Sequence, residues 1–205
     1  MITHHSKKNI RILYGLVVKI ILIITKNLVK KYGNFTAVDN VNLNIPAGEI
    51  YGFLGPNGAG KTTTIEIMEG IIAATSGSVT YQGSTNKGKE VDSSISQQIG
   101  IQFQHTALQD FLTVKENLLY RGSLYLNNIH EVKKRYLELE EYLHLKEFSN
   151  QRFSTLSGGQ KRRAEIARAL FSNPEILLLD EPTTWLDPET RQVVWKVIDD
   201  LKEKQ

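Results

Sequence analysis

The residues best suited to chemistry are consecutive: Gly55-Pro56-Asn57-Gly58-Ala59-Gly60-Lys61-Thr62-Thr63 fits the pattern G-x-x-x-x-G-K-[ST] without a mismatch. Glycines in such a run let successive backbone N–H groups turn inward as an anion nest, and a following helix adds the positive end of its dipole. Lys61 is placed to reach the β- and γ-phosphates of a nucleotide as a point charge, and the Thr62 hydroxyl to bind Mg²⁺. The alternative is a glycine-rich turn that binds nothing, and the flanks argue against it. Ile50-Tyr51-Gly52-Phe53-Leu54 reads as a buried strand, while Ile65, Met68 and Ile72 have helical spacing with Gly70 as a breaker. Strand, glycine loop, helix is the setting of a nucleotide-phosphate site.

A second group of candidates lies in the C-terminal half. Ile176-Leu177-Leu178-Leu179-Asp180-Glu181 is a continuous apolar run ending in two carboxylates. An aspartate at the C-terminal end of a buried strand is where a Walker B residue holds Mg²⁺, and Glu181 beside it is placed to polarise an attacking water. Upstream stands Leu156-Ser157-Gly158-Gly159-Gln160; read locally, Ser157 and Gln160 form a capping box, and Lys161-Arg162-Arg163 reads as a solvated helix face. Asp187 and Pro188 read as the N-cap and first residue of a last helix, with Val194, Val197, Ile198 and Leu201 on its buried face.

Other elements must hold these groups in place. Leu28–Gly33, Ala37–Val41 and Asn42–Ile45 lead to the phosphate-loop strand, the last two alternating as half-buried antiparallel strands do. Gly77–Gly83 is a further short strand, residues 84–97 read as a polar loop, and Ile99–Gln104 as a buried strand ending in glutamine. From His105 to Phe153 the period becomes helical. Thr113 and Glu116 form a capping box, and Val132, Tyr136, Leu139 and Leu143 line one face of a charged helix, which predicts a helical subdomain at about 105–155.

Residues 1–25 admit three readings. Lys7, Lys8 and Arg11 before an apolar run from Ile12 to Ile24 suggest a signal peptide, but no small-residue cleavage site follows. A membrane-spanning helix fits poorly, since the run is short and carries Lys19. The third reading makes Lys19–Thr25 a first strand and the rest an extension.

A net charge of +3 is too small to imply a nucleic-acid partner, and the absence of cysteine excludes disulfides and thiolate metal sites. His4, His5, His105, His130 and His144 lack metal-ligand spacing.

Taken in order, Tyr32, the phosphate loop, Gln104, Leu156–Gln160, Asp180-Glu181 and Leu186-Asp187 resemble the ATP-binding cassette (ABC) ATPases from about residue 26 to the last residue. The runs Gly-Pro-Asn-Gly-Ala-Gly-Lys-Thr-Thr-Thr-Ile-Glu and Asp-Pro-Glu-Thr-Arg further resemble the exporter group that includes drug and antibiotic resistance transporters. The resemblance implies an α/β fold: a phosphate-loop NTPase (RecA-like) core with an antiparallel β subdomain and the inserted helical subdomain, one domain over 26–205. It implies ATP and Mg²⁺ as ligands, with Gly55 to Thr63 on the phosphates and Tyr32 stacked on adenine. Asp180, Thr62 and Gln104 would serve the metal, with Gln104 relaying nucleotide state to a membrane partner and Glu181 acting as general base. Two cassettes would meet head to tail, so that Ser157, Gly158, Gly159 and Gln160 of one contact the γ-phosphate held by the other. Transmembrane subunits would be the other partners, at the cytoplasmic face of the membrane. A soluble, non-transport ABC protein is the reading from another class.

Two departures from the family pattern stand out. Trp185 replaces a usual glycine at the dimer interface, and no histidine follows His144, although the family carries a γ-phosphate-contacting histidine after a further strand. On this reading the C-terminal core strands are missing, which predicts a central gap between the phosphate-loop and Walker B strands, and a hydrolysis-deficient ATP-binding remnant as the alternative function.

Overall fold

A computed structural model describes residues 2–3, 16–19, 23–46, 50–81, 84–86, 98–102 and 106–180, together with 186, 188, 191, 192, 194–196 and 199. In chain order the elements are β1 (Ile2–Thr3), β2 (Leu16–Lys19), β3 (Ile23–Tyr32), β4 (Phe35–Ile45), β5 (Ile50–Leu54), α1 (Lys61–Glu69), β6 (Ser76–Tyr81), β7 (Ser84–Asn86) and β8 (Ile99–Gln102). Then come α2 (Val114–Gly122), α3 (Ile129–Tyr142), a 3-10 turn at Phe153–Thr155, α4 (Gly158–Leu170) and β9 (Ile176–Leu179).

The strands form two sheets, ordered β1-β5-β2-β9-β8 and β4-β3-β6-β7. In the second, antiparallel sheet β3 pairs with both β4 and β6, and its register shifts after Thr25 and again after Leu28. Asn27 takes a φ of 47° at this irregularity, and its N–H donates to Asn42 Oδ1 at 2.9 Å. Ser84–Asn86, read from sequence as loop, instead pairs with β6 as a short edge strand.

β8 and β9 run parallel, with Gln102 opposite Leu179. The four residues of β9 are all buried. Ile176 and Leu178 pack with Ile65 and Met68 of α1 and Phe53 of β5, whereas Leu177 and Leu179 pack against the helical cluster of Leu118, Phe153, Ala164 and Ile166. A strand covered on both faces has no position for an alternating polar residue, which accounts for its unbroken apolar run.

The predicted central gap is filled. β2 lies between β5 and β9, antiparallel to both, pairing Val17 with Tyr51 on one side and Leu178 on the other. An apolar, β-branched segment can satisfy backbone groups of neighbouring strands in either direction, and the sequence pattern carries no sign of which slot it enters. Lys19–Thr25 is accordingly not one strand: Lys19 ends β2 in the core sheet and Ile23 opens β3 in the other.

The helical region follows its sequence signals closely. Thr113 Oγ1 accepts from the Glu116 N–H at 3.1 Å while Glu116 Oε2 accepts from the Thr113 N–H at 2.8 Å, closing the capping box. Val132, Tyr136, Leu139 and Leu143 are all buried. Asn117, buried in α2, accepts from the Gln109 N–H and donates to the Gln109, Leu112 and Thr113 carbonyls, tying down the loop before the helix.

Candidate functional site

The site is built where β5 runs into α1. β5 leads through Gly55–Gly60 into a helix whose N-cap is Gly60 and whose C-cap is Gly70, so Ile72 falls beyond the helix. Lys61 is buried at the first helical position and bends back over the loop, its Nζ donating to the Gly55 carbonyl at 2.9 Å and the Pro56 carbonyl at 2.8 Å. Thr64 Oγ1 donates to the Gly60 carbonyl at 2.7 Å, locking the first turn. Beside this turn opens a cleft of about 320 Å³, lined by Asn57, Gly58, Gly60, Lys61, Thr62 and Thr63 of the loop and by Phe35 and Ala37 of β4.

Asp180 comes from far along the chain, directly after β9. Its N–H donates to the Gln102 carbonyl at 3.1 Å, extending the parallel ladder by one residue. Its carbonyl accepts from Arg162 Nη2 at 3.1 Å, and its Oδ2 accepts from the Thr62 hydroxyl at 3.2 Å. Two residues separated by 118 positions are thus in direct contact at the helix N-terminus. A hydroxyl and a carboxylate meeting beside an anion nest offer the hard oxygen donors that Mg²⁺ takes, with phosphate and water completing its shell. The donor set fits the metal, and the loop fits a polyphosphate.

Ser157 and Gln160 cap α4 reciprocally: Gln160 Oε1 accepts from the Ser157 N–H at 2.9 Å and Ser157 Oγ from the Gln160 N–H at 3.3 Å. Ser157 and Gly158 are exposed, Gly159 is buried, and none of Ser157–Gln160 is among the residues lining the cleft. Tyr32 is exposed at the end of β3, with the Lys30 ammonium 5.0 Å from its ring centre. It stands directly across the hairpin from Phe35, which lines the cleft where Tyr32 does not. Gln104, Glu181, Trp185 and Asp187 lie outside the described residues.

Several neighbours of the site escape sequence reasoning. Phe35 could have been noticed as a large apolar side chain in an otherwise polar stretch just after the Gly33 turn. Arg162 and Arg163 are not a solvated face, since they donate to the Asp180 and His144 carbonyls. Glu69 sits on the apolar stripe of α1, one residue after Met68, and is 7% exposed. Burial, then the Asp180 and Glu66 carboxylates, push its acid from 4.5 up to about 8, while the Arg168 guanidinium pulls the other way. Tyr81 packs against the same helix end, its hydroxyl donating to the Met68 carbonyl, and burial raises its pKa.

A raised folded-state pKa means that the fold favours protonated Glu69. Its contribution to stability is complete below about pH 4.5 and is lost as pH rises through about 8. Stability should therefore fall across that window, and Glu69→Gln should flatten the fall. By about pH 9 the variant should be the more stable by on the order of a few kcal/mol, read from denaturant midpoints.

Comparison with known proteins agrees with this geometry. The linearmycin resistance ATP-binding protein LnrL of Bacillus subtilis is 41% identical over 178 residues, covering 87% of this chain and 57% of LnrL. The Nod factor export ATP-binding protein I of Rhizobium johnstonii is 39% identical over 82% of this chain and 53% of its own length. The chain thus spans little more than half the length of these two relatives. Among solved structures, the dimeric post-hydrolysis state of the ATP-binding cassette MJ0796 bound to ADP and Pi matches with a TM-score of 0.77 at 34% identity, over 89% of this chain and 83% of that one. The α/β phosphate-loop fold expected from sequence is the fold of these cassettes. A model of the ABC transporter family matches residues 38–184, a single span that holds the glycine loop, Ser157–Gln160 and Asp180. The chain belongs to the ABC transporter family.

Proposed function

We propose that this chain binds and hydrolyses MgATP as the ATP-binding cassette of a membrane exporter. The observation that carries the reading is the Thr62 hydroxyl 3.2 Å from the Asp180 carboxylate, at the mouth of a glycine loop with the Lys61 ammonium folded over it. Loop N–H groups and the α1 N-terminus hold the phosphates. Lys61 exchanges its two carbonyl acceptors for β- and γ-phosphate oxygens, a short swing for a side chain already anchored at its base. Thr62, Asp180 and Gln104 hold Mg²⁺. When bound there, the metal would neutralise the charge that develops on the phosphate oxygens. Glu181 takes the proton of the attacking water, and Tyr32 with Phe35 offers the aromatic surface on which adenine stacks.

A second cassette meets the first head to tail and presents Ser157–Gln160, a well-capped helix N-terminus, to the γ-phosphate. The dimeric MJ0796 cassette supports this arrangement. Closure favoured by γ-phosphate contacts and released on hydrolysis is what couples turnover to transport. Transmembrane subunits are the other partner, at the cytoplasmic face of the membrane. Among the described residues no helix is long and apolar enough to cross a membrane. Phe111, Tyr120, Leu124 and Ile129, in and around α2, are large apolar side chains all more than half exposed, of the kind that partners cover. The resistance and export relatives support the exporter reading. Residues 26–205 act as one cassette, with the helical subdomain at about 105–155.

The test is phosphate release by the purified chain with Mg²⁺ and ATP, alongside thermal unfolding. Saturable turnover that requires the metal, together with an ATP-raised transition, is expected. A cooperative fold indifferent to MgATP overturns the reading. Recovery of the chain with membranes, rather than ribosomes or free in extract, separates the transporter role from a soluble one.

A further inference from the structure

The cleft beside α1 is lined by two unlike sets of residues. The loop side carries the polar groups, whereas β4 contributes only Phe35 and Ala37, a ring and a methyl group. β4 is bent at this place. Thr36 lies opposite Lys31 and Val38 opposite Lys30, so Ala37 is an extra residue, a bulge of the kind that bends a strand and re-aims its side chains. The bulge sits hard against the start of α1, where a Cβ on Gly60 would stand 2.2 Å from the Ala37 carbonyl oxygen. Phe35, two residues away, is thereby held close to Lys61 while remaining 63% exposed. Tyr32 is engaged elsewhere. The Lys30 ammonium lies 5.0 Å from its ring centre, a cation–π distance, and donates to the Ala73 carbonyl at 2.8 Å. The Thr75 N–H donates to the Val29 carbonyl at 2.8 Å, and Thr75 Oγ1 accepts from the Lys31 N–H at 2.9 Å. This end of β3 is thus tied to the chain that follows α1. The cleft opens at the other end of that helix, whose nine residues span about 13 Å.

We infer that Phe35, three positions beyond the tyrosine to which the family resemblance points, is the principal platform for the nucleobase, and that Tyr32 braces the hairpin from outside the cleft. The inference rests on the ATP-binding reading above. A base stacked on Phe35 covers an apolar ring that the fold leaves in water, and any base has a face to offer it. The hairpin is fastened on one side at Gly60 and on the other at Ala73 and Thr75. It therefore loses little conformational freedom when the base arrives, so most of the stacking energy appears as affinity. Tyr32, with its ring beside a lysine already bonded to Ala73, lacks that freedom to turn toward the cleft.

Two ligands titrated into the full chain test this: MgATP, and magnesium tripolyphosphate, which has the phosphates without the base. Phe35→Ala should weaken MgATP about tenfold or more and magnesium tripolyphosphate by less than about twofold. Phe35→Trp, which keeps an aromatic face, should hold MgATP within about threefold of the unsubstituted chain. Tyr32→Ala should cost less than Phe35→Ala, about threefold in MgATP affinity. Both positions are more than half exposed, so the variants should melt cooperatively. Equal weakening of the two ligands by Phe35→Ala would mean that the ring shapes the loop instead of meeting the base, and overturns the inference. So does a Tyr32→Ala variant that loses as much MgATP affinity as Phe35→Ala. An unsubstituted chain that binds magnesium tripolyphosphate as tightly as MgATP overturns the inference and leaves the phosphate site standing. A chain that binds neither overturns the function proposed above and this inference with it.

Discussion

Lys61→Ala should abolish the stabilisation of the fold by MgATP while leaving the nucleotide-free protein nearly unchanged. Lys61 Nζ donates to the carbonyls of Gly55 and Pro56, which are half-buried and exposed, so the shortened side chain leaves acceptors that water can reach. With nucleotide the balance differs, because the ammonium is the one compact positive charge among the cleft-lining residues. Ligand at about 100 times its dissociation constant adds about 2.7 kcal/mol to a folded site. For a chain of this size each kcal/mol moves the transition by about 2–4 °C, so a rise of about 5–11 °C in the unsubstituted chain should shrink to near zero. A full ATP shift in Lys61→Ala would mean that the nucleotide binds elsewhere.

Gly60→Ala should damage the fold and the site together. Gly60 has a φ of +77°, and a Cβ there would stand 2.2 Å from the Ala37 carbonyl oxygen, 3.3 Å from its carbon and 3.4 Å from Val38 Cγ2. The obstacle is backbone of β4, paired along its length with β3, so it cannot turn aside as a flexible side chain could. Left-handed strain and overpacking together should cost about 2–5 kcal/mol in the nucleotide-free chain. Because Gly60 is the N-cap of α1, relief of the clash displaces the N–H groups that would meet phosphate, and the MgATP shift should disappear as well. Gly58→Ala is the control. Its φ is +81°, but nothing lies within 4 Å of the added carbon, so strain alone remains, about 1–2 kcal/mol. Equal losses in the two variants would show that conformation, not the approach of β4, sets the glycine at 60.

The readable part of the fold is the part written in local signals. Capping boxes at Thr113 and Ser157, the apolar stripe of α3 and the unbroken run of β9 each stand where their residues say, because each depends on partners within a few positions or on burial alone. The readings that failed depend on distant partners. Leu16–Lys19 is apolar and β-branched, which allows a strand but cannot choose the slot between β5 and β9 over a shared strand with Thr25. Ser84–Asn86 is polar enough for a loop and pairs only because β6 offers an edge. Arg162 and Arg163 sit in a basic run that looks solvated until two backbone carbonyls from elsewhere in the chain are placed against them.

By itself the sequence determined the chemistry: a phosphate-binding loop, a lysine and a threonine at a helix start, and a carboxylate at the end of a buried strand. These follow from short-range order, since three consecutive features of the loop and its flanks fix the direction of N–H groups and the helix dipole. Only the tertiary structure decided that Thr62 and Asp180 touch, that Phe35 rather than Tyr32 lines the cleft, that Glu69 is an acid held uncharged well above its ordinary range, and that Arg162 of α4 reaches the end of β9 at the Asp180 carbonyl. Each of these needs groups far apart in the chain to lose water together, and desolvation is a property of the packed interior that no local pattern encodes.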